Sequence, residues 1–207
     1  MQDARWLFFD PGNTLISEET ATECRIQQLV SSLERYDRRR TIEEVRAAFR
    51  QASEEFAPRL ITGAIEKLID DPECRKLIEA EARYHKELEA PYQGAEPTLR
   101  TLSSRYRIGV IANQTAGTEE RLTMWGPMPF ISICLSSAEV ALEKPDPAIF
   151  RLALSQSGCE PPQAVMIADR LDNDIRPARL LGWKTEDDTH CSRLRPISVA
   201  EGRLGRG

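Results

Sequence analysis

Short apolar runs recur along the chain at wide intervals. The first is Trp6-Leu7-Phe8-Phe9, closed by Asp10-Pro11-Gly12-Asn13. Three more follow in the second half: Ile108-Gly109-Val110-Ile111-Ala112, Ile131-Ser132-Ile133-Cys134-Leu135 and Val165-Met166-Ile167-Ala168. An unbroken apolar run of this length, ending in turn residues, predicts a strand buried on both faces, as in a parallel sheet. A helical pattern follows each of the later runs, the rhythm of a βαβ chain. Asp146-Pro147 predicts one helix start and Gly158 its end, with Ile149, Phe150, Ala153 and Leu154 on its apolar face. Thr118 is expected to cap a second helix. Asp172 or Asn173 is expected to open a third, which Gly182 would close.

Between the first and second runs the period changes from strand to helix. Residues 21–36 carry Ile26, Leu29, Val30 and Leu33 on one face. Thr41-Ile42-Glu43-Glu44 reads as a capping box, followed by Val45, Phe49, Ala52 and Phe56. Asp71-Pro72 opens a further helix through Leu77, Ile78, Ala82 and Tyr84. The aromatic residues Phe49, Phe56 and Tyr84 are expected in the core of this block. Connections in α/β units usually take about 2–6 residues, so the block predicts a separate helical subdomain. The expected division is a core of residues 1–17 and 93–185, a helical insertion at 18–92, and a tail at 186–207. The tail shows no strand periodicity and is Gly/Arg-rich, so it is expected to be irregular or disordered, leaving the sheet with a missing or poorly formed edge strand.

Composition narrows the function class. The 207 residues are 41% hydrophobic and 29% charged, ordinary for a soluble globular protein. The longest apolar runs fall far short of the roughly 20 residues that span a bilayer, so no membrane partner is expected. A formal net charge of -5 argues against nucleic-acid binding, which uses a basic face. The five cysteines form no CxxC pair and are odd in number, which fits a reduced, cytoplasmic protein. His85 and His190 have no zinc-ligand spacing and read as surface or loop residues. Oligomeric state leaves no mark on the sequence.

Candidate chemistry sits at the ends of the apolar runs. Ligands of open parallel sheets bind outside the carboxyl ends of the strands. There the chain places Asp10 after the first run, Ala112-Asn113 after the second, and Asp169 followed by Asp174 after the last. Lys144 precedes the helix that Asp146 caps. Three carboxylates in one crevice repel one another unless a hard cation with oxygen ligands, such as Mg²⁺, joins them. A lysine beside them suits a shared anion such as a phosphate.

These residues resemble the motifs of the haloacid dehalogenase-like (HAD) hydrolase superfamily, in its phosphatase-type branch with a helical cap. Phe8-Phe9-Asp10-Pro11-Gly12-Asn13-Thr14-Leu15 resembles the first motif, and the second apolar run ending at Asn113 resembles the second. Lys144-Pro145-Asp146-Pro147 matches the third, and the Val165 run through Asp174 looks like the fourth. Pro91-Tyr92-Gln93-Gly94 resembles the usual re-entry from cap to core. The likeness spans residues 5–183 with the motifs in order. It implies an α/β fold, a three-layer Rossmann-like parallel-sheet core with an inserted α-helical cap. It also implies Mg²⁺-dependent phosphoryl transfer from a small phosphorylated metabolite through an aspartyl-phosphate.

Under that resemblance Asp10 is the nucleophile and a metal ligand, with the Gly12 carbonyl, Asp169 and Asp174 completing the metal site. Lys144 neutralises phosphoryl charge, and Asn113 and Gly12 border the phosphate. Three positions depart from the pattern. Gly12 replaces an acid–base aspartate, Ala112 a hydroxyl residue, and Ala168 a glycine. They leave a second class open, a catalytically impaired relative that binds a ligand or partner through the same crevice.

Overall fold

The computed structural model describes residues 3–187. Contacts divide the chain into two units, one formed by the chain up to Ser17 and from Ala90 onward, the other by Glu18–Glu89. The first unit opens with β1, Trp6–Phe9, and the short strand β2, Ile16–Ser17.

The second unit is helical: α1 (Glu19–Arg35), α2 (Ile42–Glu54), α3 (Leu60–Leu68) and α4 (Pro72–Glu81). One cluster holds it together, with Leu29, Leu33, Val45, Ile65 and Ile78 fully buried. The capping box forms at Thr41: its hydroxyl accepts from the Glu44 N–H, and the Glu44 carboxylate accepts from the Thr41 N–H. Asp71 caps α4, accepting from the Glu73 N–H at 3.0 Å. Helix α4 ends at Glu81, short of the expected Tyr84, whose hydroxyl donates to Glu89 at 3.0 Å. Phe49 is buried as expected, but Phe56 is 36% exposed. Phe56 lies beyond the end of α2 with a left-handed backbone, φ 56°, which breaks the helical spacing that would have turned it inward.

The first unit resumes with β3 (Ala90–Pro91), α5 (Ala95–Ser103), β4 (Arg107–Ala112), α6 (Thr118–Met124) and β5 (Ile133–Ser136). It continues through α7 (Ser137–Val140), α8 (Pro147–Ser157), β6 (Ala164–Ala168), α9 (Arg176–Leu180) and β7 (Lys184–Asp187). The main sheet is parallel throughout, in the order β5-β4-β1-β6-β7. Strand β1 is central and wholly buried, which is why its sequence is apolar without alternation. Phe8, Ile111 and Met166 pack on one face with α8, α9 and Trp183. Leu7, Phe9, Val110 and Val165 pack on the other with α5 and α6. The result is a three-layer α/β core. Strands β2 and β3 pair antiparallel where the chain leaves and re-enters it. No helix among the described residues is long and apolar enough to cross a membrane.

Some local expectations shift. Asp146 caps α8 and Gly158 ends it, as the pattern predicts. Gly117, with φ 89°, rather than Thr118, precedes α6, and Thr118 is its first residue. The third helix opens with a wide π-type turn at Leu171–Ile175 before α9, so neither Asp172 nor Asn173 caps it.

The missing-edge expectation is corrected more substantially. Residues 184–187 form β7, paired with β6 in register from Val165↔Lys184 to Ala168↔Asp187, so the irregular tail does not begin at 186. A parallel edge strand needs only backbone partners, so a polar Lys-Thr-Glu-Asp segment can serve. It is anchored by Trp183, which is 4% exposed and packs against the rings of Phe8 and Phe150. The rest of the expected tail, with His190 and Cys191, lies outside the described residues.

Gly109 is a packing constraint at the centre of this sheet. A Cβ there would stand 2.4 Å from the ring of Phe8, itself fully buried and stacked on Trp6. Gly109→Ala is expected to destabilise the protein by about 1–3 kcal/mol, the usual range for core overpacking. Chemical denaturation checks this, and an unchanged midpoint would refute it.

Candidate active site

The carboxyl ends of β1, β4 and β6 come together because these strands are adjacent in one parallel sheet. Asp10 follows β1 directly, its N–H donating to the Ile167 carbonyl of β6 at 3.0 Å. Beyond it the chain turns tightly, the Pro11 carbonyl accepting from the N–H groups of Leu15 and Ile16 at 2.9 Å each. Gly12 is buried in this turn, and Asn13 takes a left-handed backbone, φ 48°. Asp169 follows β6, and the wide turn at Leu171–Ile175 carries Asp174 into the interior, where it is 1% exposed.

Lys144 links the carboxylates. Its ammonium lies 2.7 Å from Asp10 Oδ1 and 2.6 Å from Asp174 Oδ1, and the residue is 3% exposed. Asn113 holds the Lys144 backbone from both sides. Its Nδ2 donates to the Lys144 carbonyl at 2.6 Å, and its Oδ1 accepts from the Lys144 N–H at 2.7 Å. Ala112, fully buried at the end of β4, brings no hydroxyl to the cluster. Carboxylate oxygens of Asp10, Asp169 and Asp174 all lie within 4.8 Å of one another.

Burial is the largest influence on the protonation equilibria here, and the neighbouring charges modify it. Burial raises the Asp10 pKa, and the Asp169 charge adds to the effect against the pull of Lys144. Asp169 is raised by burial and by Asp174. Burial pushes Asp174 up to about 6, with Asp10 adding to it and Lys144 opposing it. Burial works against the charge of Lys144, but Asp10 and Asp174 outweigh it, so its pKa also lies above the ordinary value. One lysine cannot neutralise three carboxylates. A donor set of clustered carboxylate oxygens with uncompensated charge fits a hard divalent cation.

The haloacid dehalogenase-like hydrolase family profile matches residues 7–186. The chain belongs to this family. It is 30% identical to a glyceraldehyde 3-phosphate phosphatase from Methanopyrus kandleri over 189 residues, 86% of this chain and 81% of that protein. It is 34% identical to a phosphoserine phosphatase from Thermus thermophilus over 130 residues, 61% of this chain and 52% of the relative. Among solved structures, a HAD phosphatase from Thermococcus onnurineus superposes with TM-score 0.61 at 21% identity, covering 87% of this chain and 84% of that one. A HAD-superfamily hydrolase from Geobacter sulfurreducens gives TM-score 0.64 at 17% identity, covering 88% and 86%. These two share the fold of this HAD chain.

The motif reading overlooked Arg170. Its guanidinium binds Asp172 through two contacts, Nε to Oδ1 at 3.1 Å and Nη2 to Oδ2 at 2.6 Å. Its charge opposes the upward shifts of Asp10, Asp169 and Asp174, so it is a second cation acting on the cluster. Its position directly after Asp169 was the available signal. Asp172 serves as the arginine's partner. Thr14 is also buried, with a hydroxyl that finds no hydrogen-bond partner among the described residues.

The raised Asp174 pKa has a definite thermodynamic sign. An acid whose folded pKa is raised from 3.8 to about 6 keeps its proton in the folded state while the unfolded chain releases it. Its contribution therefore costs stability as pH rises through that window, by about 1.4 kcal/mol for each tenfold difference in proton affinity between the two states. In chelator, the stability of Asp174→Asn relative to wild type is expected to improve between pH 4 and pH 6.5. Urea unfolding at both pH values measures it, and a difference that stays constant would contradict the assignment.

Proposed function

We propose that this HAD hydrolase is a Mg²⁺-dependent phosphatase that cleaves a small phosphomonoester through an aspartyl-phosphate on Asp10. The observation that carries this reading is the buried Lys144 ammonium beside the Asp10 carboxylate, within a three-carboxylate cluster. The phosphatase names of the relatives support the reaction class.

Asp169, Asp174 and Asp10 would hold the ion, with the Gly12 carbonyl as a further ligand. Bound there, Mg²⁺ supplies positive charge for the phosphoryl oxygens. Lys144 holds Asp10 Oδ1, favouring the ionised form that a nucleophile needs against the effect of burial. Oδ2 of Asp10 has no hydrogen bond among the described residues, which suits it to attack phosphorus and displace the alcohol. The Asp10–phosphate bond then breaks on attack by water, releasing inorganic phosphate and restoring the carboxylate. Phosphoryl transfer relies mainly on positioning and charge neutralisation, which Lys144 and Arg170 supply. Asn113 fixes the lysine backbone and thereby its reach to Asp10. Residues 18–89 would act as the cap that selects the substrate, and the chain would work in the cytoplasm.

Gly12 favours a second reading, a relative that binds a ligand without efficient turnover. Position 12 has no side chain to move a proton, and losing such an acid–base group typically costs about 10²–10⁴ in rate. Phosphate release from an aryl phosphate distinguishes the two. Wild type is expected to show Mg²⁺-dependent release that chelator abolishes and Asp10→Asn removes. Equal rates for wild type and Asp10→Asn would leave the binding reading.

Asn113→Ala tests the positioning of Lys144. Loosening a charged group by about 1 Å can cost up to about 10² in rate. The variant is expected to lose kcat by roughly ten- to a hundredfold with a smaller change in KM, measured by steady-state kinetics on the same ester.

A further inference from the structure

A second polar site lies at the other end of the sheet. A cleft of about 530 Å³ opens at the amino ends of β1 and β4, lined by Arg5, Arg105 and Arg107 with Ser103, Tyr106 and Cys159 among its walls. None of the described residues that line it is acidic. This is unexpected in a chain of net charge -5, where a cluster of like charges normally attracts carboxylate partners. Arg5 and Arg107 are neighbours across the ladder, the Arg107 N–H donating to the Arg5 carbonyl at 3.0 Å. All three arginines are exposed, and among the described residues none makes an ion pair or donates a side-chain hydrogen bond. Arg107 alone has an orienting contact, its guanidinium 5.8 Å from the centroid of the buried Trp6 ring.

Helix ends do not explain the cluster. Arginines often gather where a helix C-terminus leaves carbonyls unpaired. Here three of the last four α5 carbonyls are already satisfied: Arg100 by the Ser103 hydroxyl, Thr101 by the Ser104 hydroxyl, and Leu102 by the N–H groups of Arg105 and Tyr106. At the end of α8, the Leu154 carbonyl accepts from the Gly158 N–H and the Ser157 hydroxyl. The guanidinium donors therefore have no hydrogen-bond or ion-pair partner among the described residues and are open to an outside ligand.

We propose that this cleft is a binding site for a small polyphosphate anion, a di- or triphosphate group held by Arg5, Arg105 and Arg107. Guanidinium forks match phosphate oxygens in pairs, and three of them suit an anion carrying several charges. The volume falls within the roughly 300–1,000 Å³ of small-molecule sites. The six residues of β4 separate this cleft from Ala112 by about 17 Å, at about 3.3 Å per residue. The site is therefore distinct from the carboxylate cluster and does not depend on the reaction proposed for it.

Titration calorimetry of the full chain with tripolyphosphate, in chelator and at constant ionic strength, tests the proposal. Wild type and Asp10→Asn are expected to bind with equal affinity, and Arg5→Gln/Arg105→Gln/Arg107→Gln at least tenfold more weakly with unchanged circular dichroism. Arg105→Gln alone, a substitution outside any strand, is expected to weaken binding severalfold and serves if the triple variant misfolds. Absence of binding to wild type, full binding by the folded arginine variants, or loss of binding in Asp10→Asn would each overturn the proposal.

Discussion

A buried ammonium shared between the buried carboxylate of Asp174 and the half-buried one of Asp10 organises the carboxyl end of this sheet. Removing an ion from water costs several kcal/mol, and only close countercharges recover it. Lys144 finds them in Asp10 and Asp174, residues from opposite ends of the sequence. Because β1 and β6 are adjacent, both carboxylates emerge at one edge, and the wide turn at Leu171–Ile175 carries Asp174 inward. Asn113, at the end of β4, ties the lysine segment to the same edge. Each part needs the others: the lysine would not be buried without the carboxylates, and three carboxylates would repel without the lysine.

The arrangement leaves an excess of negative charge. A site evolved for stability alone would remove a carboxylate or add a cation. Instead the cluster holds Asp169 as well, and Arg170 compensates from a position fixed by Asp172. Burial chiefly raises the carboxylate pKa values, the neighbouring carboxylates add to it, and a divalent ion would offset both. The apolar sheet beneath, centred on Phe8 and its packing with Trp6 and Trp183, gives the cluster a rigid base.

Much of this was legible in advance. The unbroken runs ending at Phe9, Ala112 and Ala168 marked buried parallel strands because a strand covered on both faces has no polar side. Thr41, Asp71 and Asp146 marked helix starts because their side chains satisfy backbone N–H groups locally. Phe56 and Tyr84 were harder, since each lies just beyond a helix end where spacing no longer predicts direction. Strand β7 left no apolar pattern, because its stability comes from the exposed backbone of β6 and the anchor at Trp183. Arg170 fell outside the motif reading because its influence is electrostatic and depends on the fold of the turn.

The sequence by itself determined the apolar strands, most of the longer helices, the helical insertion that interrupts the core, and which acidic and basic residues stand at strand ends. Those properties depend on local spacing, capping and burial, and all of them act over a few residues. Only the tertiary structure decided that Lys144 reaches both Asp10 and Asp174, that Asn113 grips its backbone from both sides, and that Arg5, Arg105 and Arg107 share a cleft with no carboxylate among its described lining residues. Such contacts follow from which strands become neighbours, and their energies depend on burial and on the sum of surrounding charges.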